Sequence, residues 1–345
     1  MRICVYSPSM SIRTAVLGAS GYAGGELVRL LDSHDGFDVV FLGAHSHAGG
    51  VLGDVHPQLE GGDRPLGSNE LVKEVEFAFL ALPHGSSASL GHQLRQEGVK
   101  VVDLGSDYRL DSAARYGEAY PSPHPFPDEL ADWRYGLPEL FDVKGATAVA
   151  SPGCYPTAVL LAVGPLLAQG LIEPQGIVAD CLSGVSGAGR ALAAEFLFGE
   201  VANGVRAYAV GKHRHRPEIE MGLEQLSGKQ ATVTFTPHLV PMPRGLLATV
   251  TASLTGEGDP GEALAHAYRE SPFVEVIDRP PQTRWTVGSN KALVAAVVDR
   301  RQNFVIAQCA IDNLLKGAAG QAVQAANLMV GYDEADGLPR SGWMP

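Results

Sequence analysis

The chain has 345 residues, of which 45% are hydrophobic and 19% charged, a composition typical of a folded protein of two domains and not of a disordered one. Its formal net charge of -12 argues against general binding to nucleic acid or anionic membranes, and no apolar run approaches the roughly 20 residues of a membrane span. We therefore expect small-molecule partners, no nucleic acid and no membrane.

The cysteines are few and widely spaced, at Cys4, Cys154, Cys181 and Cys309. This spacing favours neither a disulfide framework nor a zinc cluster, so we expect no metal and a reducing, cytoplasmic location. The first ten residues precede a second methionine, Met10, and are too short and polar for a secretory signal. We leave them out of the predicted fold.

From residue 12 onward, apolar strands alternate with amphipathic helices. The runs "TAVLGAS", "DVVFLGA", "EFAFLAL" and "VKVVDLG" are continuous and bounded by glycine, whereas "YAGGELVRLLDS" has helical spacing. This pattern predicts an α/β fold with a Rossmann-type doubly wound parallel sheet. The proline-rich stretch "YPSPHPFPDEL", near residues 120–130, is predicted to be a loop.

After Cys154 the pattern becomes one long helix and then alternating strands such as "TVTFTP" and "LLATVTASL". These strands predict a second, α+β domain with a mixed or antiparallel sheet. The last helix, "LLKGAAGQAVQAANLMVG", is expected to return to the first domain. The predicted domains are a Rossmann-type domain of residues 11–153, completed by 313–345, and an α+β domain of residues 154–312.

The stretch "GASGYAG", Gly18 to Gly24, follows the first strand and opens the first helix. Glycines there let a phosphate approach backbone N–H groups at the positive end of the helix dipole. The spacing is GxxGxxG instead of GxGxxG, so a tight turn without a ligand is the alternative. The second strand ends in His45, Ser46 and His47 without a carboxylate, which favours NADP over NAD.

Cys154 lies between a glycine turn and a helix start, because Pro156 suits a first helical turn. A thiol beside unpaired backbone N–H groups should have a lowered pKa and act as a nucleophile. Cys181 and Cys309 lie within apolar strands and are interpreted as buried hydrophobic residues.

A nucleophilic thiol needs an acid or base, and the segment "GKHRHRPEIE" supplies His213 and His215 before a helix start predicted at Pro217. On an extended segment this spacing places the two imidazoles on opposite faces, so only one should reach the thiol. A solvated basic loop is the alternative interpretation, and its cations also suit an anionic substrate.

Three further segments place an arginine among small residues, where it can clamp a carboxylate or phosphate: "LGSDYRL" with Arg109, "SGVSGAGR" with Arg190 and "VPMPRGLLATV" with Arg244. Each also has a purely structural interpretation. Asp103 and Asp107 suit turn caps, and the glycines suit positive φ.

Taken together, these residues resemble the N-acetyl-gamma-glutamyl-phosphate reductase family and, more distantly, aspartate-semialdehyde dehydrogenase. The matching segments run in order across almost the whole chain: "GASGYAGGEL", "HPQL", "LALPHG", "VVDLGSDYRL", "YGLPEL", "SPGCYPTA", "SGVSGAGR", "HRHRPEI", "VPMPRGLLAT" and "DNLLKGAAGQAVQAANLMVG". The cysteine and histidine segments together are specific, whereas the glycine loop is widely shared.

The resemblance implies a reversible, NADP-dependent reductive dephosphorylation of N-acetyl-gamma-glutamyl phosphate in arginine biosynthesis, with release of inorganic phosphate. It implies a thioester on Cys154, His215 as general acid and base with His213 in reserve, and a homo-oligomer, either dimer or tetramer. The cofactor contacts that it implies are Gly18, Ala19, Ser20, Gly21, Tyr22, Ala23, Ser46, Pro83, Ser183, Gly184, Gly187, Ala188, Asn290, Asn313, Lys316 and Gly317. The implied substrate contacts are Arg109, Arg190, Arg244, Ser106 and His84.

Three other functions stay open. Reductases of aspartyl phosphate or of N-blocked aminoadipyl phosphate would use the same thiol, and one methylene is worth only about 1 to 3 kcal/mol of discrimination. A non-catalytic NADP-binding redox sensor would use Cys154 to register oxidation. The paired histidines and the arginines favour catalysis over the sensor.

Overall fold

Two seven-stranded sheets, one parallel and one mixed, organise the described part of the chain. The structure is a computed structural model that describes residues 11–344. The prediction that residues 1–10 precede the fold concerns residues outside this range. No helix within residues 11–344 is long and apolar enough to cross a membrane.

The first sheet has the strand order β3-β2-β1-β4-β5-β7-β6, and all its neighbouring strands are parallel. Its strands are β1 (Ile12–Leu17), β2 (Phe37–Ala44), β3 (Gly67–Ser68), β4 (Phe77–Leu80), β5 (Lys100–Asp103), β6 (Arg134–Tyr135) and β7 (Ala148–Ala150). All four residues of β4 are buried, as the continuous apolar run predicts for a strand that is covered on both faces. The strand order reverses between β1 and β4, which is where doubly wound sheets bind ligands.

The helices that connect these strands are α1 (Tyr22–Leu31), α2 (Ala88–Gln96) and α3 (Ala113–Ala119). The proline-rich stretch is a loop only as far as Phe126, and residues Pro127–Asp132 form a 3₁₀ helix. The prediction of a loop over the whole stretch is therefore wrong in its second half, because Pro127 suits the first position of a helical turn.

The second sheet has the order β12-β13-β14-β11-β8-β10-β9 and is mixed, as predicted. Its strands are β8 (Ile177–Gly184), β9 (Arg206–Ala207), β10 (Val233–Val240), β11 (Leu246–Ser253), β12 (Val274–Val276), β13 (Ala292–Asp299) and β14 (Phe304–Ile311). Strands β8 and β10 are parallel, as are β12 and β13, and the other pairs are antiparallel. The accompanying helices are α4 (Cys154–Ala168), α5 (Phe198–Val201), α6 (His215–Ser227) and α7 (Pro260–Ala267).

Helix α4 lies at the centre of the second half of the structure. Every residue from Tyr155 to Leu167 is buried, and the helix packs against α6, α7, β11 and β14. A helix that is apolar on all sides is stable only when it is surrounded in this way. Only residues 151–153 separate its first residue, Cys154, from the end of β7 in the first sheet.

The chain returns to the first sheet through a π-helical turn at Leu315–Ala319 and helix α8 (Gly320–Val330). Helix α8 packs against α1, and Val323 shares a core with Leu27 and Phe77. The expected return of the last helix is confirmed.

Candidate active site

The glycine loop between β1 and α1 has the geometry of an anion site. Gly18 has φ +84°, and a Cβ there would collide with the carbonyl oxygen of Ala81; a Cβ on Gly24 would collide with the carbonyl oxygen of Gly18. Gly21 is the N-cap of α1, where no side chain caps the helix and no acidic residue occupies the first turn. The backbone N–H groups of this turn are therefore available to a phosphate.

Three side chains hold this loop in shape. The Oδ1 atom of Asn69 accepts the N–H of Gly18 at 3.2 Å, and His56 Nε2 lies 3.0 Å from the carbonyl oxygen of Ala19. Arg190 Nη1 donates to the carbonyl oxygens of Ser20 and Val55 at 3.2 and 2.9 Å. Arg190 was expected to clamp the substrate, but the structure places its guanidinium on the cofactor loop.

The loop opens into a cleft of about 960 Å³ that reaches Cys154. This volume lies within the usual range for small-molecule sites, and together with the loop it fits a nicotinamide dinucleotide. The expected cofactor residues on its wall are Gly18, Ser20, Gly21, Tyr22, Ala23, Ser46, Pro83, Gly187, Asn313 and Gly317.

A second cavity of about 480 Å³ lies on the other side of the thiol. Its wall is mostly basic and aromatic, with Phe196, Tyr155, Tyr208, Arg206, Lys212 and Arg214, and it also carries the carboxylate of Glu195. Ser183 and Ala188, expected at the cofactor, line this second cavity instead. Cys154, Gly187, Arg214 and His215 line both cavities, so the thiol lies where the two meet.

Four expected cofactor contacts lie behind the cleft wall. Ala19 is fully buried, and a Cβ on Gly184 would lie 2.7 Å from the carbonyl oxygen of Met242. Asn290 Nδ2 donates to Gln324 at 3.0 Å. Lys316 is fully buried with its Nζ 2.6 Å from Glu139 Oε1, which compensates the buried charge. None of these four residues lines the cleft.

Three expected substrate residues also have structural partners. Arg244 pairs with Glu26 at 2.7 Å and with Asp312 at 3.1 Å. The Nδ1 atom of His84 lies 2.8 Å from Asp107 Oδ1 and 3.0 Å from Ser106 Oγ. Asp107 in turn accepts the N–H groups of Ser87 and Ala88 at the start of α2, which is the turn cap that its sequence position allowed.

Cys154 is the first residue of α4, and Gly153 is its N-cap. Burial raises the pKa of the thiol to about 11, although the charge of Arg109 and the N–H groups of Tyr155 and Cys154 itself act in the opposite direction. The expected lowering of the thiol pKa is wrong, because desolvation of the thiolate outweighs the helix N-terminus. The thiol therefore needs a base.

Two imidazoles lie beside it. The rings of His213 and His215 have centroids 4.6 Å apart, and the backbone N–H of His215 donates to His213 Nδ1 at 3.1 Å. Helix α6 begins at His215 instead of Pro217, and Arg214 is already helical, with φ -60° and ψ -17°. The predicted placement on opposite faces is wrong, because the segment is not extended.

Both histidines are neutral near pH 7. Burial, followed by the charge of Arg214, lowers the pKa of His213 to about 4. Burial, followed by the charges of His213 and Arg109, lowers the pKa of His215 well below its usual value. A neutral imidazole has a lone pair that can accept a proton, and burial makes each ring a weaker base than a free imidazole.

Arg109 and Glu218 connect the histidine to the helix that carries the thiol. Arg109 Nη1 lies 3.4 Å from His215 Nε2 and 3.5 Å from Glu218 Oε2. Glu218 is 2% exposed, and its Oε1 accepts the N–H of Gly153 and the hydroxyl of Tyr135, both at 2.9 Å. Sequence reasoning missed Glu218, although its spacing of three residues from His215 places both on one helical face.

Comparison with known proteins gives matches over most of the chain. Residues 13–147 match the family described as semialdehyde dehydrogenase, NAD binding domain, and residues 154–313 match semialdehyde dehydrogenase, dimerisation domain. The chain is 47% identical to an N-acetyl-gamma-glutamyl-phosphate reductase of Salinispora arenicola, over 97% of this chain and 100% of the relative. It is 43% identical to one of Heliobacterium modesticaldum, with the same coverage of each chain.

Among solved structures, aspartate semialdehyde dehydrogenase II of Vibrio cholerae is similar with a TM-score of 0.72 at 20% identity, over 93% of this chain and 99% of that one. Aspartate semialdehyde dehydrogenase with NADP from Candida albicans is similar with a TM-score of 0.67 at 16% identity, over 93% and 98%. These matches confirm the two-sheet α/β fold.

The matched domains, one for NAD binding and one for dimerisation, support a nicotinamide cofactor and a homo-oligomer. The resemblance inferred from the cysteine and histidine segments is confirmed by relatives that share more than two fifths of their residues with this chain. The chain belongs to the semialdehyde dehydrogenases and, within them, to the N-acetyl-gamma-glutamyl-phosphate reductase family.

Proposed function

We propose that this protein catalyses the NADP-dependent reductive dephosphorylation of N-acetyl-gamma-glutamyl phosphate, a cytoplasmic step of arginine biosynthesis. The products are N-acetyl-glutamate 5-semialdehyde and inorganic phosphate. The observation that carries the proposal is the position of Cys154 between a glycine-loop cleft and a basic cavity. Relatives at up to 47% identity carry the name of this reaction.

In this proposal residues 11–153 and 313–345 hold the cofactor, and residues 154–312 hold the substrate and the oligomer contacts. The glycine loop binds the dinucleotide phosphates with its backbone N–H groups. Ser46, flanked by His45 and His47, offers hydrogen-bond donors to a 2′-phosphate, and Ser46 Oγ lies 3.1 Å from His47 Nδ1. When bound, the reduced nicotinamide supplies the hydride for the acyl carbon.

The second cavity suits the rest of the substrate. Its cations, Arg206, Lys212 and Arg214, favour the carboxylate and the phosphoryl oxygens of an anionic acyl phosphate. The hydroxyl of Tyr208 donates to that of Tyr155 at 3.0 Å, so these two hydroxyl groups form a polar patch beside the aromatic rings of the wall. The pocket therefore combines charge recognition with a surface for an acylated amino acid.

The chemistry starts with proton transfer from the Cys154 thiol to neutral His215. The thiolate forms a bond to the acyl carbon, the bond from that carbon to the phosphate oxygen breaks, and inorganic phosphate leaves with the electron pair. The thioester that remains on Cys154 is the species that is reduced. Breaking of the carbon–sulfur bond then releases the aldehyde, and the sulfur recovers its proton from His215.

Turnover in the reverse direction tests the proposal. Purified protein is mixed with NADP, inorganic phosphate and N-acetyl-glutamate semialdehyde, and nicotinamide absorbance is followed. We expect phosphate-dependent reduction of NADP that Cys154→Ala abolishes and Cys181→Ala, a change at a buried strand cysteine, preserves. Faster turnover with aspartate semialdehyde or N-acetyl-aminoadipate semialdehyde would overturn the proposed identity of the substrate. Cofactor binding without any turnover would favour a redox sensor over an enzyme.

A further inference from the structure

The cofactor cleft carries an unbalanced set of charges. Its wall includes three arginines, Arg109, Arg190 and Arg214, and across residues 11–344 a single carboxylate, Glu70. Arg109 is held by His215 and Glu218 near the thiol, and Arg190 is held by the carbonyl oxygens of Ser20 and Val55. Glu70 follows β3, at the part of the cleft wall that the glycine loop and the end of β2 form.

Strand pairing places Glu70 beside the end of β2. Residues Gly67 and Ser68 of β3 pair in parallel with Gly43 and Ala44. Ser68 Oγ donates to Glu70 Oε2 at 3.2 Å, which directs the carboxylate back toward the strand pair. His45 and Ser46, which follow Ala44, line the same cleft.

Asn69 fixes this arrangement to the glycine loop. Its Oδ1 accepts the N–H of Gly18 at 3.2 Å, and its Cα lies 3.3 Å from the position of a Cβ on Gly43. The residue that precedes Glu70 is thus tied to both β2 and the phosphate-binding turn. Glu70 is exposed to solvent but has a defined place on the cleft wall.

In doubly wound folds the adenine ribose lies beyond the end of the second strand, where a carboxylate accepts hydrogen bonds from the ribose hydroxyls of NAD and repels a 2′-phosphate. We infer that Glu70 determines the cofactor preference of this protein, by limiting the affinity for NADP and allowing NAD to be used as well. The sequence shows no carboxylate at the end of β2 because this one comes from the 3₁₀ turn Asn69–Leu71, which follows the neighbouring strand β3. The inference builds on the nicotinamide chemistry proposed above.

The side chains that follow β2 on this wall, His45 and Ser46, can donate hydrogen bonds, and Ser46 Oγ lies 3.1 Å from His47 Nδ1. An exposed charge acts through a water-screened interaction, so its removal should change affinity by about threefold to tenfold. Because NADP carries the extra phosphate and NAD carries free hydroxyls, the two nucleotides should respond in opposite directions.

The test is a titration of the intact protein with NADPH and with NADH, without substrate, followed by nicotinamide fluorescence. For Glu70→Gln we expect the Kd of NADPH to fall about threefold to tenfold and the Kd of NADH to rise. Glu70→Asp keeps the charge and should keep the wild-type ratio of the two Kd values. Glu60→Gln, a change at an exposed carboxylate outside the cleft, is the matched control.

An unchanged ratio of the two Kd values in Glu70→Gln, or the same shift in Glu60→Gln, would overturn the inference. Turnover is measured separately, in the reverse assay with N-acetyl-glutamate semialdehyde. A shifted binding ratio without turnover would support the role of Glu70 and contradict the proposed reaction. Turnover with an unshifted ratio would support the proposed reaction and contradict the role of Glu70.

Discussion

The groups around Cys154 shift the pKa of its thiol in opposite directions. Burial and the carboxylate of Glu218 raise its pKa, while Arg109 and two backbone N–H groups lower it. The result, about 11, keeps the thiol protonated at neutral pH. In the proposed mechanism His215, which lines both cavities beside the thiol, is the base that removes its proton.

We predict that alkylation of Cys154 by iodoacetamide has a steep pH dependence. The thiolate is the reactive form, and a pKa raised above that of a free thiol makes the thiolate a minority throughout the neutral range. The rate should therefore rise about tenfold per pH unit between about pH 7 and pH 10. Mass spectrometry of the Cys154 peptide measures it, and a rate that levels off below about pH 9 would contradict the raised pKa.

Glu218 is a positioning residue in this arrangement. We predict that Glu218→Gln lowers kcat by about tenfold or more, because Gln keeps an acceptor for the Gly153 N–H but releases Arg109. The KM for NADPH should not change, since Glu218 does not line the cleft. The same variant should make alkylation of Cys154 faster, because removal of the Glu218 charge lowers the thiol pKa.

This combination of slower turnover and a more reactive thiol separates positioning from a loss of structure. The variant Glu220→Gln, on the same helix, is the control because Glu220 accepts the N–H of Val233 at 3.0 Å and does not line either cavity. If Glu218→Gln slows alkylation and turnover equally, the residue acts only by supporting the fold.

At the scale of elements, sequence patterns predict well where burial is uniform. The apolar runs of β1, β2, β4 and β5 identify strands, and Pro156 marks the start of α4, because in each case the local chemistry and the tertiary environment agree. The two-residue strand β3 has too few residues to form a pattern. Its pairing with β2 nevertheless brings Glu70, which follows β3 in the chain, to the cleft. No sequence pattern around Glu70 predicts this position.

Other parts of the site depend on contacts between distant segments. From sequence, the histidine segment is predicted to be extended, with a solvated basic loop as the alternative. In the structure, Tyr155 and Phe235 pack edge-on against His213, at centroid distances of 5.9 and 5.3 Å. These aromatic contacts hold the ring beside the thiol. Similarly, Lys316 looks like a cofactor cation until its buried partner, Glu139, is known. Such pairings are set by the fold as a whole.

The π-helical turn Leu315–Ala319 places Gly317 directly against Cys154. A Cβ on Gly317 would lie 2.7 Å from Cys154 Cβ and 3.3 Å from its Cα. We predict that Gly317→Ala lowers kcat at least about tenfold, because overpacking at this contact must move the start of α4. Steady-state turnover of the variant measures the effect.

Gly117→Ala is the matched control, since a Cβ on Gly117 in helix α3 meets nothing within 4 Å. It should leave kcat unchanged. Wild-type turnover in Gly317→Ala would show that the turn tolerates a shift and does not position the thiol.

On the scale of the whole molecule, the two sheets are joined by a network around Arg244. This residue lies between β10 and β11 and pairs with Glu26 of α1. It also donates to Asp312, which is fully buried and accepts the N–H of Gly288 at 2.8 Å. The ring of Trp343 lies 5.2 Å from the guanidinium, so a residue near the end of the described chain also packs against this arginine. The arginine expected to bind substrate thus connects the halves that form the cleft.

We predict that Arg244→Met lowers the free energy of unfolding by about 3 kcal/mol, because removal of one partner leaves the buried Asp312 carboxylate without its counter-charge. Urea denaturation measures the change. The control is Arg29→Met, which removes a cation from the same Glu26 but at the surface, where a pair at three-residue spacing is worth about 0.5 kcal/mol or less. Equal losses in the two variants would mean that the Arg244 network acts as a surface ion pair. A much larger loss of unfolding free energy for Arg244→Met, together with a raised KM for both cofactor and acyl substrate, would show that this buried network fixes the two walls of the cleft relative to each other.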